Sequence, residues 1–289
     1  MNQTNWTISA VMKSAKDFLA AKGIENPRLD IELLLAKSLG ISRLDLYLKH
    51  DKPLSKEERD QFKLLLFRRA ANEPAAYILG EAGFMGHLFK VNRHTLVPRP
   101  DTEVLVEECL KYIPESPSFR LLDIGAGTGC IGISLLMRCE NLFVESWDIH
   151  EDTLEIAQWN AGALGVSDRY EAKIASALEI ESYNRTFDAV VSNPPYIDIN
   201  EFDSLDSTVK DFEPYAALVA DHGGLLFYEK ISASSSKIIR PGGFIAFEIG
   251  WNQGESVREI LERNRFVNIK ITKDLGSRDR VVTAQMPNA

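Results

Sequence analysis

The feature that most constrains the fold of this chain is an alternation of short apolar runs with stretches of helical periodicity, which begins at Phe119. This alternation is typical of βαβ units, which build a parallel sheet with helices on both faces. The apolar runs lie at 121–124, 142–147, 187–192 and 243–249, and the helical stretches lie at 130–138, 153–162 and 224–235. Two further apolar runs, at 267–272 and 281–285, are predicted to pair antiparallel at the sheet edge.

The N-terminal part of the chain has helical periodicity instead. Gly23 and Gly40 stand where the first two helices should end, and the run from Ser55 to Glu58 has the sequence of a capping box. We therefore predict a compact bundle of about four helices before residue 75.

The segment between the helical region and the alternating region is rich in glycine, aromatic and β-branched residues. This composition predicts a β-hairpin over 84–91, and Pro98 and Pro100 predict a fixed, non-helical exit from it. The chain is thus predicted to have three parts: a helical domain at 1–75, a β-hairpin linker at 76–103, and a doubly wound, Rossmann-like α/β domain at 104–289.

The charge of the chain narrows the class of partner. The sequence has 33 basic and 42 acidic residues, which gives a formal net charge of −9. This balance repels a phosphate backbone unless basic residues concentrate in one patch. The nearest approach to such a patch is formed by Arg68, Arg69, Arg93 and Arg99. We expect a protein or small-molecule substrate and no direct nucleic-acid partner.

The sequence lacks signals for targeting and for metal binding. Residues 1–10 do not have the regions of a secretory signal, and no apolar stretch reaches the length of about 18 residues that a membrane span needs. The three cysteines (Cys109, Cys130, Cys139) and the scattered histidines have no metal-ligand spacing. We expect a cytoplasmic protein with reduced thiols and with neither a metal nor a membrane segment.

A glycine-rich turn follows the first strand of the alternating region. The strand at 121–124 leads directly into Gly125, Ala126, Gly127, Thr128 and Gly129. Glycines at this junction allow a tight turn and a close approach of the backbone to a ligand at the carboxyl end of the strand. The next strand ends at Asp148, whose carboxylate can accept hydrogen bonds from both ribose hydroxyls of an adenosine.

This pattern is compatible with two different cofactors. Gly127, Gly129 and Gly132 also satisfy the dinucleotide pattern, with Asp148 at a suitable distance for NAD. Asp123, two residues before the first glycine, distinguishes them because a negative group is unfavourable beside a pyrophosphate. It suits a cofactor that carries an ammonium and a sulfonium, so the pattern favours S-adenosylmethionine.

The strand at 187–192 is followed by Asn193-Pro194-Pro195-Tyr196. An amide nitrogen is a poor nucleophile, and the Asn193 side chain and the Pro194 carbonyl can accept hydrogens from an NH₂ group and hold it in place. Consecutive prolines stiffen this backbone, and Tyr196 offers a flat wall to a planar group. The same four residues could simply be a turn, but the end of a strand beside the glycine-rich turn favours a reaction motif.

These residues resemble the NPPY methyltransferases, which act on planar nitrogen atoms of adenine or glutamine. The stretches at 97–103 and 274–282, with those at 77–81 and 251–255, resemble the release-factor glutamine methyltransferases (the PrmC or HemK family) more specifically. The resemblance covers most of the chain. It implies a seven-stranded class I methyltransferase sheet and an N-terminal domain that contacts the protein substrate.

The resemblance also implies an activity. This activity is methylation of the N5 amide of glutamine in the Gly-Gly-Gln motif of class-one peptide chain release factors, with S-adenosylhomocysteine as the other product. Residues 125–129, Asp148 and Asn193 would bind S-adenosylmethionine, and residues 193–196 would grip the glutamine. Arg99 would shape the substrate entrance, and we expect a monomer. Where some relatives carry a tryptophan beside the adenine, Ala177 stands in this chain.

Three alternatives remain open at this point. A sister family methylates glutamine of a ribosomal protein, but it differs around the Pro-Arg-Pro-Asp-Thr-Glu stretch. An adenine-N6 methyltransferase of nucleic acid normally adds a basic recognition surface, which this acidic chain lacks. In a non-catalytic NAD-binding protein, residues 193–196 would have no chemical role.

Overall fold

The structure is a computed structural model that describes residues 6–182 and 185–288. Its backbone contacts divide the chain into two compact units. The first comprises Met1–Glu81 with Asp206–Phe212, and the second comprises Ala82–Leu205 with Glu213–Ala289. Boundaries at residues 75 and 103 stay a prediction.

The structure contains the helices and strands that the sequence pattern indicates, in the same order, together with further ones. Helices come first: α1 (Ile8–Ala21), α2 (Arg28–Leu39), α3 (Arg43–Leu48), α4 (Lys56–Ala70) and α5 (Ala75–Leu79). Then come β1 (Glu81–Phe84), β2 (His87–Lys90), α6 (Pro100–Leu110), β3 (Phe119–Ile124), α7 (Cys130–Arg138), β4 (Leu142–Asp148), α8 (Glu151–Ala163), β5 (Tyr170–Ile174) and β6 (Phe187–Ser192). The last are α9 (Ser207–Lys210), α10 (Asp221–Gly224), α11 (Leu226–Ile238), β7 (Ile239–Glu248), α12 (Gly254–Arg263), β8 (Val267–Lys273) and β9 (Asp279–Gln285).

The first unit confirms the predicted helical bundle. Among residues 6–74, which the structure describes, there are four helices, and their shared core includes Ile8, Leu19, Leu34, Leu35 and Phe62. The predicted helix ends are also confirmed. Gly40 closes α2 in the left-handed conformation, and Ser55 with Glu58 forms a reciprocal capping box at α4.

The second unit contains a seven-stranded sheet in the order β5-β4-β3-β6-β7-β9-β8. Strands β5, β4, β3, β6 and β7 are parallel, whereas β9 pairs antiparallel with both β7 and β8. The predicted fold class is therefore confirmed, together with the antiparallel pair at the edge. The hairpin of β1 and β2 is also confirmed, although its first strand begins at Glu81, before the predicted range.

The strand order reverses beside β3, which creates the crevice where ligands of doubly wound sheets bind. In the register of the sheet, Ile124 at the end of β3 lies level with Trp147 on β4 and with Ser192 on β6. The two loops that follow β3 and β6 thus leave the sheet side by side. Fully buried apolar residues of the central strands, such as Leu122 and Val190, pack into the apolar core on one face of the sheet.

In the described part of the chain, no helix is both long and apolar enough to cross a membrane. Within the same residues, no group of three or more histidine, cysteine or acidic side chains has the arrangement of a metal site.

Candidate active site

A cavity of about 230 Å³ lies in the second unit, at the carboxyl ends of β3, β4 and β6. Most of the residues singled out in the sequence line it: Arg99, Gly125, Ala126, Gly127, Thr128, Asp148, Ala177, Asn193, Pro194 and Pro195. Three others, Asp123, Gly129 and Tyr196, lie behind this surface and not in it. The cavity therefore brings the glycine-rich turn and the proline motif to one space.

The glycine-rich turn is shaped by backbone conformations that favour glycine. Gly125, Gly127 and Gly129 have φ angles of 80°, 54° and 76°, in the left-handed region. The amides of Gly125 and Ala126 both donate to the carbonyl of Trp147 at 2.8 Å, which fastens the turn to the end of β4. The turn thus exposes backbone to the cavity while its position is set by the neighbouring strand.

Gly129 has little space for a side chain, which leads to a prediction about stability. A Cβ atom there would lie 2.7 Å from Cδ1 of Ile133 and 2.9 Å from the hydroxyl of Tyr170. We expect Gly129→Ala to lower the free energy of unfolding, measured in urea, by about 3 kcal/mol or more from backbone strain and overpacking together.

Gly165 provides the matched control for this prediction. It has a similar φ of +73°, but a Cβ atom at this position would have nothing within 4 Å. Gly165→Ala should lose only the backbone contribution, about 1–2 kcal/mol. Equal losses in the two variants would contradict close packing at Gly129.

Asp148 connects the end of β4 to the glycine-rich turn. Its carboxylate accepts a hydrogen bond from the amide of Gly127 at 3.1 Å and another from the amide of His150 at 3.2 Å. Burial raises the pKa of this carboxyl, and the two amides oppose that rise. Asp148 thus holds an acceptor at the cavity wall beside the turn.

Asp123 is buried behind the turn. Its Oδ2 accepts from the amide of Gly132 at 3.3 Å and from the hydroxyl of Ser146 at 3.4 Å. Its Oδ1 has no hydrogen-bond partner within the described residues. Burial raises the pKa of Asp123 to about 7, although both hydrogen bonds favour the ionised form. This carboxyl is therefore an incompletely satisfied acid at the back of the site.

This environment predicts how Asp123→Asn changes stability. A folded-state pKa above the ordinary value of 3.8 means that Asp123 stabilises the fold most when protonated, and that contribution is lost as pH rises toward about 7. Asparagine does not titrate. The free energy of unfolding of the variant, taken relative to that of the parent, should therefore rise by about 2 kcal/mol from pH 5 to pH 8. Urea unfolding at several pH values measures this. A difference that does not change with pH would contradict the buried, titrating carboxyl.

The proline motif is anchored to several elements. The hydroxyl of Ser192, just before it, donates to the carbonyl of Ile124 at 2.6 Å, and Nδ2 of Asn193 donates to Oγ1 of Thr102 at 3.2 Å. The carbonyl of Tyr196 accepts from Nε2 of Gln253 at 2.9 Å. Because both ends of the motif are held by buried groups, the acceptors between them keep fixed positions.

Tyr196 lies in a different place from the one expected for a cavity wall. Its ring packs against the apolar core on one face of the sheet, and its hydroxyl donates to Oε1 of Glu248 at 3.4 Å. Burial raises the pKa of Tyr196, so the phenol stays protonated at neutral pH. A direct contact of Tyr196 with substrate stays a prediction.

Arg99 lines the cavity beside an acidic partner that the sequence did not indicate. Its guanidinium forms an ion pair with Glu213, whose side chain is nearly completely buried and also accepts from the amide of Val97 at 3.4 Å. Burial raises the pKa of Glu213, and Arg99 opposes the rise. The charge of Arg99 is thus partly compensated.

Known proteins are similar to this chain in sequence and in fold. Residues 10–80 match the family model described as PrmC N-terminal domain, and residues 100–228 match the one described as methyltransferase small domain. The release factor glutamine methyltransferase of Chlorobaculum tepidum is 37% identical over 95% of this chain and 96% of its own length. The protein of the same name from Geobacter sulfurreducens is 38% identical over 96% of each chain.

The chain belongs to the release factor glutamine methyltransferase family. The resemblance inferred from the motifs is thereby confirmed. A solved methyltransferase from Pyrococcus furiosus is 16% identical, covers 76% of this chain and 97% of its own chain, and has a TM-score of 0.51. That likeness concerns the fold alone.

In this member of the family, sequence reasoning missed several residues that support the site. Thr102, Glu248 and Gln253 fall inside stretches of the sequence that were singled out only as a whole, and Glu213 falls in none, yet all four contact residues of the motif or of the cavity wall. The available signal was weak. Glu248 directly follows the buried apolar run 244–247, and an acidic residue at the end of a buried run indicates a site.

Proposed function

We propose that the protein transfers the methyl group of S-adenosylmethionine to the N5 amide nitrogen of the glutamine in the Gly-Gly-Gln motif of class-one release factors. The observation that carries the proposal is the convergence of the glycine-rich turn and Asn193-Pro194 on one cavity. Membership of the family supports the choice of glutamine over adenine. The names of the relatives support a release factor as the substrate.

The cavity wall fits S-adenosylmethionine. Asp148 provides a carboxylate suited to ribose hydroxyls, and Gly125 and Gly127 keep the wall free of side chains at the turn. Ala177 belongs to the lining next to Ser176 and Leu178, so an adenine ring would meet small and apolar groups there. Asp123 adds negative potential behind the turn when it is ionised, and a cationic ligand would favour that form of the carboxyl. Bound S-adenosylmethionine supplies a methyl group activated by its sulfonium.

The proline motif suits the recognition of a primary amide. Oδ1 of Asn193 and the carbonyl of Pro194 are two acceptors for the two hydrogens of an NH₂ group. Holding both hydrogens fixes the orientation of the nitrogen and stabilises positive charge that develops on it. Pro194 and Pro195 limit backbone freedom, so the acceptors do not need to reorganise during the reaction.

No general base is required at the nitrogen. A methylated amide nitrogen that still carries both hydrogens is strongly acidic, so its proton leaves readily to water or to a nearby acceptor. The contribution of the chain is therefore positioning and electrostatic stabilisation.

The proposal extends to the partner and its setting. The helical N-terminal domain would contact the body of the release factor, while the glutamine enters the cavity of the catalytic domain. We propose that the enzyme works as a monomer in the cytoplasm, without metal and without direct contact to nucleic acid. The net charge of −9 supports the last point.

A mass-spectrometric assay tests the proposed reaction. The purified protein is incubated with S-adenosylmethionine and an unmethylated class-one release factor, and the release factor is then digested. We expect one added methyl group, localised to the glutamine of the Gly-Gly-Gln peptide. A methyl group on another residue would refute the assignment of the target.

A further inference from the structure

A buried carboxyl lies directly behind the proline motif. Glu248 ends β7 and is only 2% exposed. Its Oε1 accepts from the hydroxyl of Tyr196, and its Oε2 has no hydrogen-bond partner among the described residues. Tyr228 donates to the backbone carbonyl of Glu248 and not to its carboxylate. A buried acid with an unused oxygen is costly unless it has a role.

Thr102 connects this carboxyl to Asn193. It lies in the first turn of α6 and is 3% exposed. Its Oγ1 accepts from Nδ2 of Asn193 at 3.2 Å, and its hydroxyl lowers the pKa of Glu248 by interacting with the carboxylate. A threonine hydroxyl carries one proton. Because the oxygen of Thr102 accepts from Asn193, the hydroxyl proton of Thr102 is free to be donated to Glu248.

The direction in which protons are donated from Asn193 through Thr102 to Glu248 decides which end of the Asn193 amide faces the cavity. An asparagine amide can present either its oxygen or its NH₂ group to a neighbouring hydroxyl. An ionised carboxylate only accepts, so it makes Thr102 the donor toward Glu248 and the acceptor toward Asn193. Oδ1 of Asn193 then points away from Thr102. A protonated carboxyl can donate to Thr102, which would free the hydroxyl to donate to Oδ1 instead.

We propose that Thr102 and Glu248 are positioning residues that orient the Asn193 side chain with its oxygen toward the substrate amide. This inference rests on the proposed function for its catalytic consequence. With the opposite orientation, the NH₂ group of Asn193 would oppose the NH₂ group of the glutamine, and the substrate nitrogen would lose an acceptor.

The charged and titratable groups around Glu248 come from several elements. Arg280 on β9 lowers the pKa of Glu248, and Asp101 on α6 raises it. The phenols of Tyr196 and Tyr228 and the thiol of Cys130 also interact with the carboxyl, but burial raises the pKa of all three, so they stay protonated near neutral pH. Burial outweighs the favourable contacts and raises the pKa of Glu248 to about 7. The orientation of Asn193 is therefore expected to depend on pH in the neutral range.

Nuclear magnetic resonance tests the orientation without any substrate. The side-chain NH₂ signal of Asn193 is assigned by its loss in Asn193→Asp and followed through a pH titration of the full chain. We expect the signal to shift with a midpoint near the pKa of Glu248 and to stop titrating in Glu248→Gln. Glu108→Gln is the matched control, because Glu108 is also buried but pairs with Lys111 and Lys270.

Kinetics at saturating S-adenosylmethionine tests the consequence. Thr102→Val should lower turnover by about tenfold without changing cofactor affinity, and Thr102→Ser should restore turnover because it keeps the hydroxyl. Glu248→Gln should lose the acidic limb of the pH profile. A role of Thr102 in packing alone would instead spare turnover or change cofactor affinity and stability together.

The outcomes separate this inference from the proposed function. An Asn193 signal that does not titrate, or one that titrates equally in Glu248→Gln, overturns the inference. A titrating signal combined with no methylation of release factor by the parent protein overturns the proposed function and leaves the orienting role of Glu248 in place.

Discussion

Asn193→Ala is expected to lower turnover by roughly a hundredfold or more while leaving the affinity for S-adenosylmethionine within about twofold. The reason is that Asn193 offers the substrate amide an acceptor whose contribution increases as positive charge develops on the nitrogen. Its side chain is anchored on Thr102 and lies in the cavity wall, but the turn that would hold the cofactor is fastened separately through Trp147. Single-turnover rates and calorimetric titration of the cofactor measure the two effects.

Asn200→Ala is the control for this variant. Asn200 lies in the loop after the motif and is exposed, and its side-chain NH₂ group donates a hydrogen bond to Asp198. It should retain the parental turnover. If Asn193→Ala lost turnover and cofactor affinity equally, Asn193 would be mainly a structural residue of the cavity.

Asp148→Ala is expected to weaken binding of S-adenosylmethionine by about a hundredfold, while turnover at saturating cofactor falls much less. Two hydrogen bonds from ribose hydroxyls to a carboxylate would be lost, each worth about 1.5–3 kcal/mol before compensation by water. Calorimetric titration provides the dissociation constant, and steady-state assays over a range of cofactor concentrations provide the turnover.

Asp148 also accepts from the amide of Gly127, so its loss could disturb the turn itself. Asp148→Asn addresses this because it keeps an acceptor for that amide and removes the charge. Asp152→Ala is the second control, since Asp152 lies in the first turn of α8 and is mostly exposed. Unchanged cofactor affinity in both Asp148 variants would contradict the proposed ribose contact.

The fold could be predicted from the sequence because its central elements carry their own local signals. β3 and β6 are short, mostly apolar runs that lead into the glycine-rich turn and the proline motif, and parallel strands that bury both faces have predominantly hydrophobic sequences. The pattern of apolar runs does not show β5, for the same physical reason. It is an edge strand in which Tyr170 is buried while Glu171 is exposed, so it lacks a continuous apolar run.

The candidate site could be predicted only in part. The glycine-rich turn and residues 193–196 follow strand ends, and the topology of a doubly wound sheet brings those ends together. The partners of Asn193 and Arg99 lie far from them in sequence, at Thr102 and Glu213. No local pattern reports such contacts, because they depend on how α6 and the loop before α10 pack onto the sheet.

The most direct test of the proposed function is a comparison of three substrates with S-adenosylmethionine labelled in its methyl group. The purified protein is incubated separately with an unmethylated class-one release factor, with the same release factor in which the glutamine of the Gly-Gly-Gln motif is replaced, and with duplex DNA. We expect label on the intact release factor and none on the other two. Label on DNA, or equal label on the two release factors, would contradict the assignment of glutamine in a release factor as the target.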